Sequence, residues 1–216
     1  LCVSDCSITG SLLVKAVLTG TESASPAHLE AVGEVLIFSA NDGLHGEELW
    51  KSDGTLTGTL LVKDIYSGTT GTSLSNLINV SGMLHFSADD GVHGEELWMS
   101  DGTLAGTEMV RDIYSGTSGS SPSYFAEVDG SLYLNATDAD HGAELWKSNG
   151  TLEGTLLVKD IYSGTPGSEP MNLTAVGGTL YFSSNDGLHG RELWALDVSL
   201  KYENFLYIPS VYNFAP

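Results

Sequence analysis

The stretch Glu48-Leu49-Trp50-Lys51-Ser52-Asp53-Gly54-Thr55 decides the fold, because it returns at a fixed distance along the chain. Trp50, Trp98, Trp146 and Trp194 are the only tryptophans, and they follow one another at 48-residue intervals. The same shift, without a gap, aligns His45, His93, His141 and His189, then Asp42, Asp90, Asp138 and Asp186, then Val14, Val62, Val110 and Val158. A period of this length marks a solenoid, a propeller or an array, whose units bury a continuous core only by stacking on their neighbours.

Working outward from the second copy, each unit reads as four extended runs, here 77–80, 83–88, 95–100 and 107–114, separated by glycine-rich turns such as Asp90-Gly91 and Asp101-Gly102. The second run partly alternates apolar and polar residues, as a strand requires, and no segment has a helical period. The fold class is therefore all-β, and four antiparallel runs in 48 residues match the length of a propeller blade. Complete sets span 29–66, 77–114 and 125–162; the last set, 173–197, lacks its fourth run, and residues 11–18 supply a run of the missing kind. We expect a four-bladed β-propeller over residues 1–197, closed by that N-terminal strand, and a C-terminal β-type extension over 198–216. An open array, or an exchange in which 11–18 closes a neighbour's blade, is the competing arrangement.

The chain has 216 residues, with 8 Lys and Arg against 28 Asp and Glu, so its net charge of −20 repels phosphate backbones and anionic membrane surfaces. Nucleic acid is not an expected partner. No apolar run approaches the roughly 20 residues that span a bilayer, so membrane insertion is not expected either. The start at Leu1 without a methionine, and without a charged-then-apolar segment, fits a processed mature chain or a fragment. Cys2 and Cys6 are the only cysteines, and such a pair suggests a disulfide in an oxidising compartment. Bridging them needs a turn; free thiols and bonds to another chain are the alternatives. Asn79, Asn135, Asn149 and Asn172 each open an Asn-x-Ser/Thr glycosylation pattern.

The octapeptide, with Glu96 to Thr103 and Glu144 to Thr151, resembles the ELWxxDGT repeat of secreted and cell-surface bacterial proteins. The third copy departs by Asn149, and the fourth keeps Glu192-Leu193-Trp194 and Asp197 but loses Gly-Thr. The resemblance covers about residues 1 to 197. It implies an extracellular, propeller-like module and brings no catalytic residue with it.

Several residue sets invite a chemical reading. Trp50, Trp98, Trp146 and Trp194 each follow a leucine, so both strand faces carry a large apolar group, which suits core packing better than a sugar-binding platform. The Asp-x-x-His-Gly-x-Glu column, Asp42, His45 and Glu48 in its first copy, could ligate a metal or relay a proton. Its fourfold recurrence favours a structural role: Asp caps the turn, while His and Glu tie the hairpin to the adjacent blade. Calcium at Asp42, Asp90, Asp138 and Asp186 is the metal expectation, although no Asp-x-Asp-x-Asp-Gly loop accompanies them. Ser87 to Gly91 partly matches the Asp-box of sialidase-like propellers, but Arg111 and Arg191 are the only arginines, too few for a sialidase site. Lys63-Asp64, Arg111-Asp112 and Lys159-Asp160 read as solvated edge charges.

After the repeat, Tyr202, Phe205, Tyr207, Tyr212 and Phe214 put five aromatics into 18 residues, too many for a solvated tail. With Leu206 and Ile208, they form a segment that either packs on its own propeller or joins a neighbouring subunit's sheet. The function expected from these observations is a non-enzymatic extracellular module assembling with copies of itself into a fibre or tube. A carbohydrate-binding adhesion propeller that takes up glycans, and a metal-dependent hydrolase, are the rivals.

Overall fold

The structure, a computed structural model, describes residues 2–3 and 11–199. The expected all-β class is what it shows: among the described residues there are antiparallel sheets and no helix. The first sheet orders Ala27–Val32, Val35–Asn41, Glu47–Ser52 and Leu60–Lys63, and the second Ser75–Val80, Met83–Asp89, Glu95–Ser100 and Glu108–Arg111. The third comprises Ser123–Val128, Ser131–Asp138, Gly142–Ser148 and Leu156–Lys159, and the fourth Met171–Val176, Thr179–Asn185 and Arg191–Asp197. Each sheet is a meander, one per 48-residue repeat. The hairpins between first and second strands are tight: Ser81-Gly82 and Asp129-Gly130 place both central residues at positive φ, the geometry that matches strand twist.

Two boundaries differ from the sequence expectation. First strands begin two residues early, because a bulge follows their opening pair: Ser75 opposes Ser87, yet the next partners are Ile78 and His85. Asn76, at φ 54°, absorbs the extra residue, and Tyr124 at φ 56° does the same in the third sheet. Fourth strands stop at Lys63, Arg111 and Lys159 instead of running on through the tyrosine, because the chain leaves the sheet at the following aspartate.

The chain divides into two compact units, residues 1–120 and 121–216. In the first unit, Val32, Ile37 and Leu49 on one face of the first sheet pack with Leu84, Phe86, Ala88 and Trp98 of the second. In the second unit, Val128, Tyr133 and Leu145 pack with Leu180, Phe182, Trp194 and Leu196, and the Phe182 and Trp194 rings stack 6.4 Å apart. Leu49 and Trp50 thus point to opposite faces and are both buried, as are Leu97 with Trp98 and Leu145 with Trp146. Burying each indole contributes about 3 kcal/mol.

The last sheet has three strands. Residues 11–18 are not paired as its fourth: Leu12–Leu13 instead pairs with Cys2–Val3, Cys2 opposite Leu13. Cys6, and with it the Cys2–Cys6 disulfide, lies outside the described residues, as does the aromatic segment from Tyr202 to Phe214.

Candidate functional site

The Asp-x-x-His-Gly-x-Glu column resolves into two separate devices. In the hairpin turn, Asp42 Oδ1 accepts the backbone N–H groups of Leu44 and His45, each at 2.9 Å, and Oδ2 sits 2.8 Å from His45 Nδ1. Asp90 holds Val92 and His93 the same way, Asp138 holds Asp140 and His141, and Asp186 holds Leu188 and His189. The short aspartate side chain mimics a backbone turn, and the imidazole closes it. Hydrogen bonding to the aspartate raises the imidazoles of His45, His93 and His141 above their usual range. Burial pushes the Asp42 and Asp90 carboxyls up, but the N–H groups and the imidazole outweigh it and hold them low. The His189 side chain brings Asp186 down to about 2.

The glutamate of Glu-Leu-Trp does something else. Glu48, Glu96 and Glu144 are fully buried. Glu96 Oε2 accepts Ile113 N–H at 3.1 Å and Ser120 Oγ–H at 2.6 Å, and Oε1 accepts Tyr114 N–H at 3.0 Å and Ser120 N–H at 2.9 Å. Glu144 repeats this with Ile161, Tyr162 and Ser168, and Glu48 takes the N–H groups of Ile65, Tyr66 and Thr72. Each carboxylate therefore ties down the loop that carries the chain from its own sheet to the next, and that loop is the Asp-Ile-Tyr-Ser-Gly part of the repeat. A second contact fixes the same loop. Gly46 and Gly71, Gly94 and Gly119, and Gly142 and Gly167 come so close, backbone against backbone, that a Cβ on either would overlap its partner's strand.

The second half of the octapeptide is a self-contained turn. Asp53 Oδ1 accepts Thr55 N–H and Oγ1–H, Ser52 Oγ lies 2.7 Å from Thr59 Oγ1, and Thr59 Oγ1 donates to Thr55 O. Hydrogen bonding to the threonine side chain holds the Asp53 and Asp101 carboxyls below their usual range. Asn149 keeps the acceptor role toward Thr151, which explains why the third copy tolerates it. In the fourth repeat, Asp197 Oδ1 accepts Ser199 N–H and Oγ–H, so the turn begins even without Gly-Thr.

The basic residues expected as solvated edge charges are not that. Lys63 Nζ donates to Thr107 O at 2.7 Å and sits 5.5 Å from the Trp98 ring, and Lys159 lies 5.7 Å from the Trp194 ring. Stacking brings each lysine at the end of a fourth strand onto the tryptophan of the following repeat, a cation–π contact between adjacent sheets of a unit.

Placed together, the candidate residues are spent on the protein's own backbone. Both oxygens of Asp42, Asp90, Asp138 and Asp186 already face donors, and a calcium ion at any of these turns would have to displace an imidazole. No group of three or more His, Cys, Asp or Glu side chains able to hold a metal occurs among the described residues. The four tryptophans are buried. Of the Asn-x-Ser/Thr positions, Asn172 is exposed, whereas the Asn79 amide bridges Ala31 O and Gly82 N. No helix among the described residues is long and apolar enough to cross a membrane.

These shifts set a pH dependence. Raised imidazoles contribute stability that is complete below the unfolded value of 6.5 and lost as pH climbs through the folded value. Burial raises Glu48 from 4.5 to about 7 despite its N–H donors, so the folded state gains on the unfolded as pH falls through that interval. Burial likewise raises Glu96 and Glu144. The depressed aspartates act oppositely, but only as pH falls toward their low folded values. The melting temperature followed by circular dichroism should therefore peak near pH 5 and fall steadily to pH 8; a rise across that interval contradicts these assignments.

No model of a known protein family matches the chain, and no curated protein matches it. Among solved structures, it is similar to a puromycin hydrolase S511A mutant complexed with PGG, at 17% identity and a TM-score of 0.53, over 81% of this chain and 27% of that one. A Mycobacterium tuberculosis puromycin-hydrolyzing peptidase matches at 14% identity and a TM-score of 0.52, over 89% of this chain and 29% of that one. The chain thus spans less than a third of either protein, and at these identities the likeness is one of fold alone.

Proposed function

We propose that this chain is a non-enzymatic extracellular structural module: a four-bladed β-propeller whose last blade takes residues 11–18 as its fourth strand, and which assembles with copies of itself. The observation that supports this most is the repeated use of Asp, His and Glu. A catalytic constellation is a single asymmetric arrangement. Here the same hydrogen bonds recur in successive repeats with nearly the same lengths, and each set is satisfied by its own turn or loop. The acidic surface, the glycosylation patterns and the resemblance to secreted repeats support an extracellular setting, and the aromatic segment 202–214 supports assembly into a fibre or tube.

Replacing His45, His93 and His141 by alanine, one at a time, is the test. Each variant should lose a similar, small increment of melting temperature and assemble as before. Loss of a hydrolytic activity with one variant and not the others would overturn the non-enzymatic reading. Calcium bound at the aspartate turns would raise the melting temperature by favouring the folded state. Because those carboxylates are already saturated, the curve in excess chelator should match that in calcium; a drop in chelator would place the ion there.

A further inference from the structure

The last sheet carries an unfilled acceptor. In the first three sheets, the third strand is flanked by a fourth, with Trp50 opposite Leu61 and Lys51 opposite Leu60, and Trp146 opposite Leu157. The loop after that strand covers the glutamate and leucine. Arg191–Asp197 has no such neighbour. Leu193 is 65% exposed and Val176 61%, whereas Leu49, Leu97, Leu145, Val32, Val80 and Val128 at the equivalent positions are all buried. Glu192, the counterpart of the buried Glu48, is exposed.

A donor with no sheet of its own lies at the other end. Residues 12–15 read Leu-Leu-Val-Lys, identical to 60–63 and 156–159. This segment already sits on the first sheet as 60–72 sits on the second. Lys15 Nζ donates to Thr59 O at 2.7 Å and lies 5.9 Å from the Trp50 ring, and Val17 packs on Phe38, Ala40 and Trp50. Asn41 N–H reaches Ala24 O, as Asn185 N–H reaches Ser168 O. On its outward side, where a third strand would lie, Leu12 is 62% and Leu13 67% exposed.

Donor and acceptor thus stand bare together in a single chain. We propose that residues 12–24 of a second copy complete the last sheet, with Leu13 opposite Trp194 and Leu12 opposite Ala195. The 48-residue register then aims the N–H groups of Val17, Leu18 and Ala24 at the Glu192 carboxylate. Val176 and Leu193 meet the second copy's first sheet, as Val32 and Leu49 meet Leu84 and Phe86. Such a contact is head-to-tail, so it propagates into a filament unless its rotation closes a ring. The proposal rests on the self-assembly reading above and names its surface.

The test uses the full chain with Cys2→Ser and Cys6→Ser, carrying either Leu12→Cys or Ala195→Cys. Mixed and treated with a short bismaleimide, the two variants should yield covalent dimers that neither yields alone. Glu192→Lys should abolish the oligomer seen by sedimentation while leaving the melting temperature unchanged. If a Leu12→Cys/Ala195→Cys double variant gives only internally cross-linked monomer, the segment closes its own chain and the proposal is overturned. Oligomers that form without the cross-link overturn this contact and leave self-assembly standing; monomers throughout overturn both.

Discussion

Glu96→Ala should destabilise the protein by about 4 kcal/mol, because it strands three backbone N–H groups and a serine hydroxyl in a dry site, each costing roughly 1 kcal/mol or more. The donors belong to Ile113, Tyr114 and Ser120, and the loop that carries them leads from one repeat to the next. Glu96→Gln should recover only part of the loss, since its amide nitrogen confronts donors. Glu192→Ala is the internal control: the same residue of the same motif, exposed in the single chain, should change stability by less than about 0.5 kcal/mol. Urea unfolding of the three variants checks this, and equal losses at Glu96 and Glu192 would show that burial is not what matters.

Gly94→Ala carries the second large effect, about 3 kcal/mol or more. Its φ of +71° is the left-handed region, and a Cβ there would lie 2.5 Å from Gly119 N and 2.8 Å from Gly119 Cα, backbone atoms that cannot rotate away. Gly82→Ala separates the two contributions: its φ is +88°, but nothing lies within 4 Å, so only the conformational strain remains, about 1 kcal/mol. If the two variants unfold at the same urea concentration, the close approach of the glycines is not supporting the loop.

The 48-residue period made the sheets legible, since it fixed which runs were equivalent and how many strands each repeat supplied. It also marked Trp50 and Leu49 as residues of opposite buried faces. What periodicity conceals is partnership. Asp42, His45 and Glu48 recur together, so they read as one constellation, yet Glu48 bonds to residues 17 to 24 positions further on while Asp42 bonds only within its turn. A repeat shifts donor and acceptor by the same amount, and no shift reveals that they meet. Lys63 was misread for a similar reason: a lysine ending a strand looks like an edge charge until stacking places the next tryptophan beneath it. The early starts at Ser75 and Ser123 were hidden because a bulge breaks the alternation that announces a strand.

The central claim is that the glutamate of each Glu-Leu-Trp is a clamp for the following loop. Amide hydrogen exchange read by NMR tests it most directly. In the native protein, the amides of Ile113, Tyr114 and Ser120, and of Ile161, Tyr162 and Ser168, should be as protected as those of the central strands, although they lie in loops. Glu96→Ala should release the first three and leave the second three protected. Native loop amides that exchange as freely as exposed turns, or a variant that releases neither set, would contradict the account.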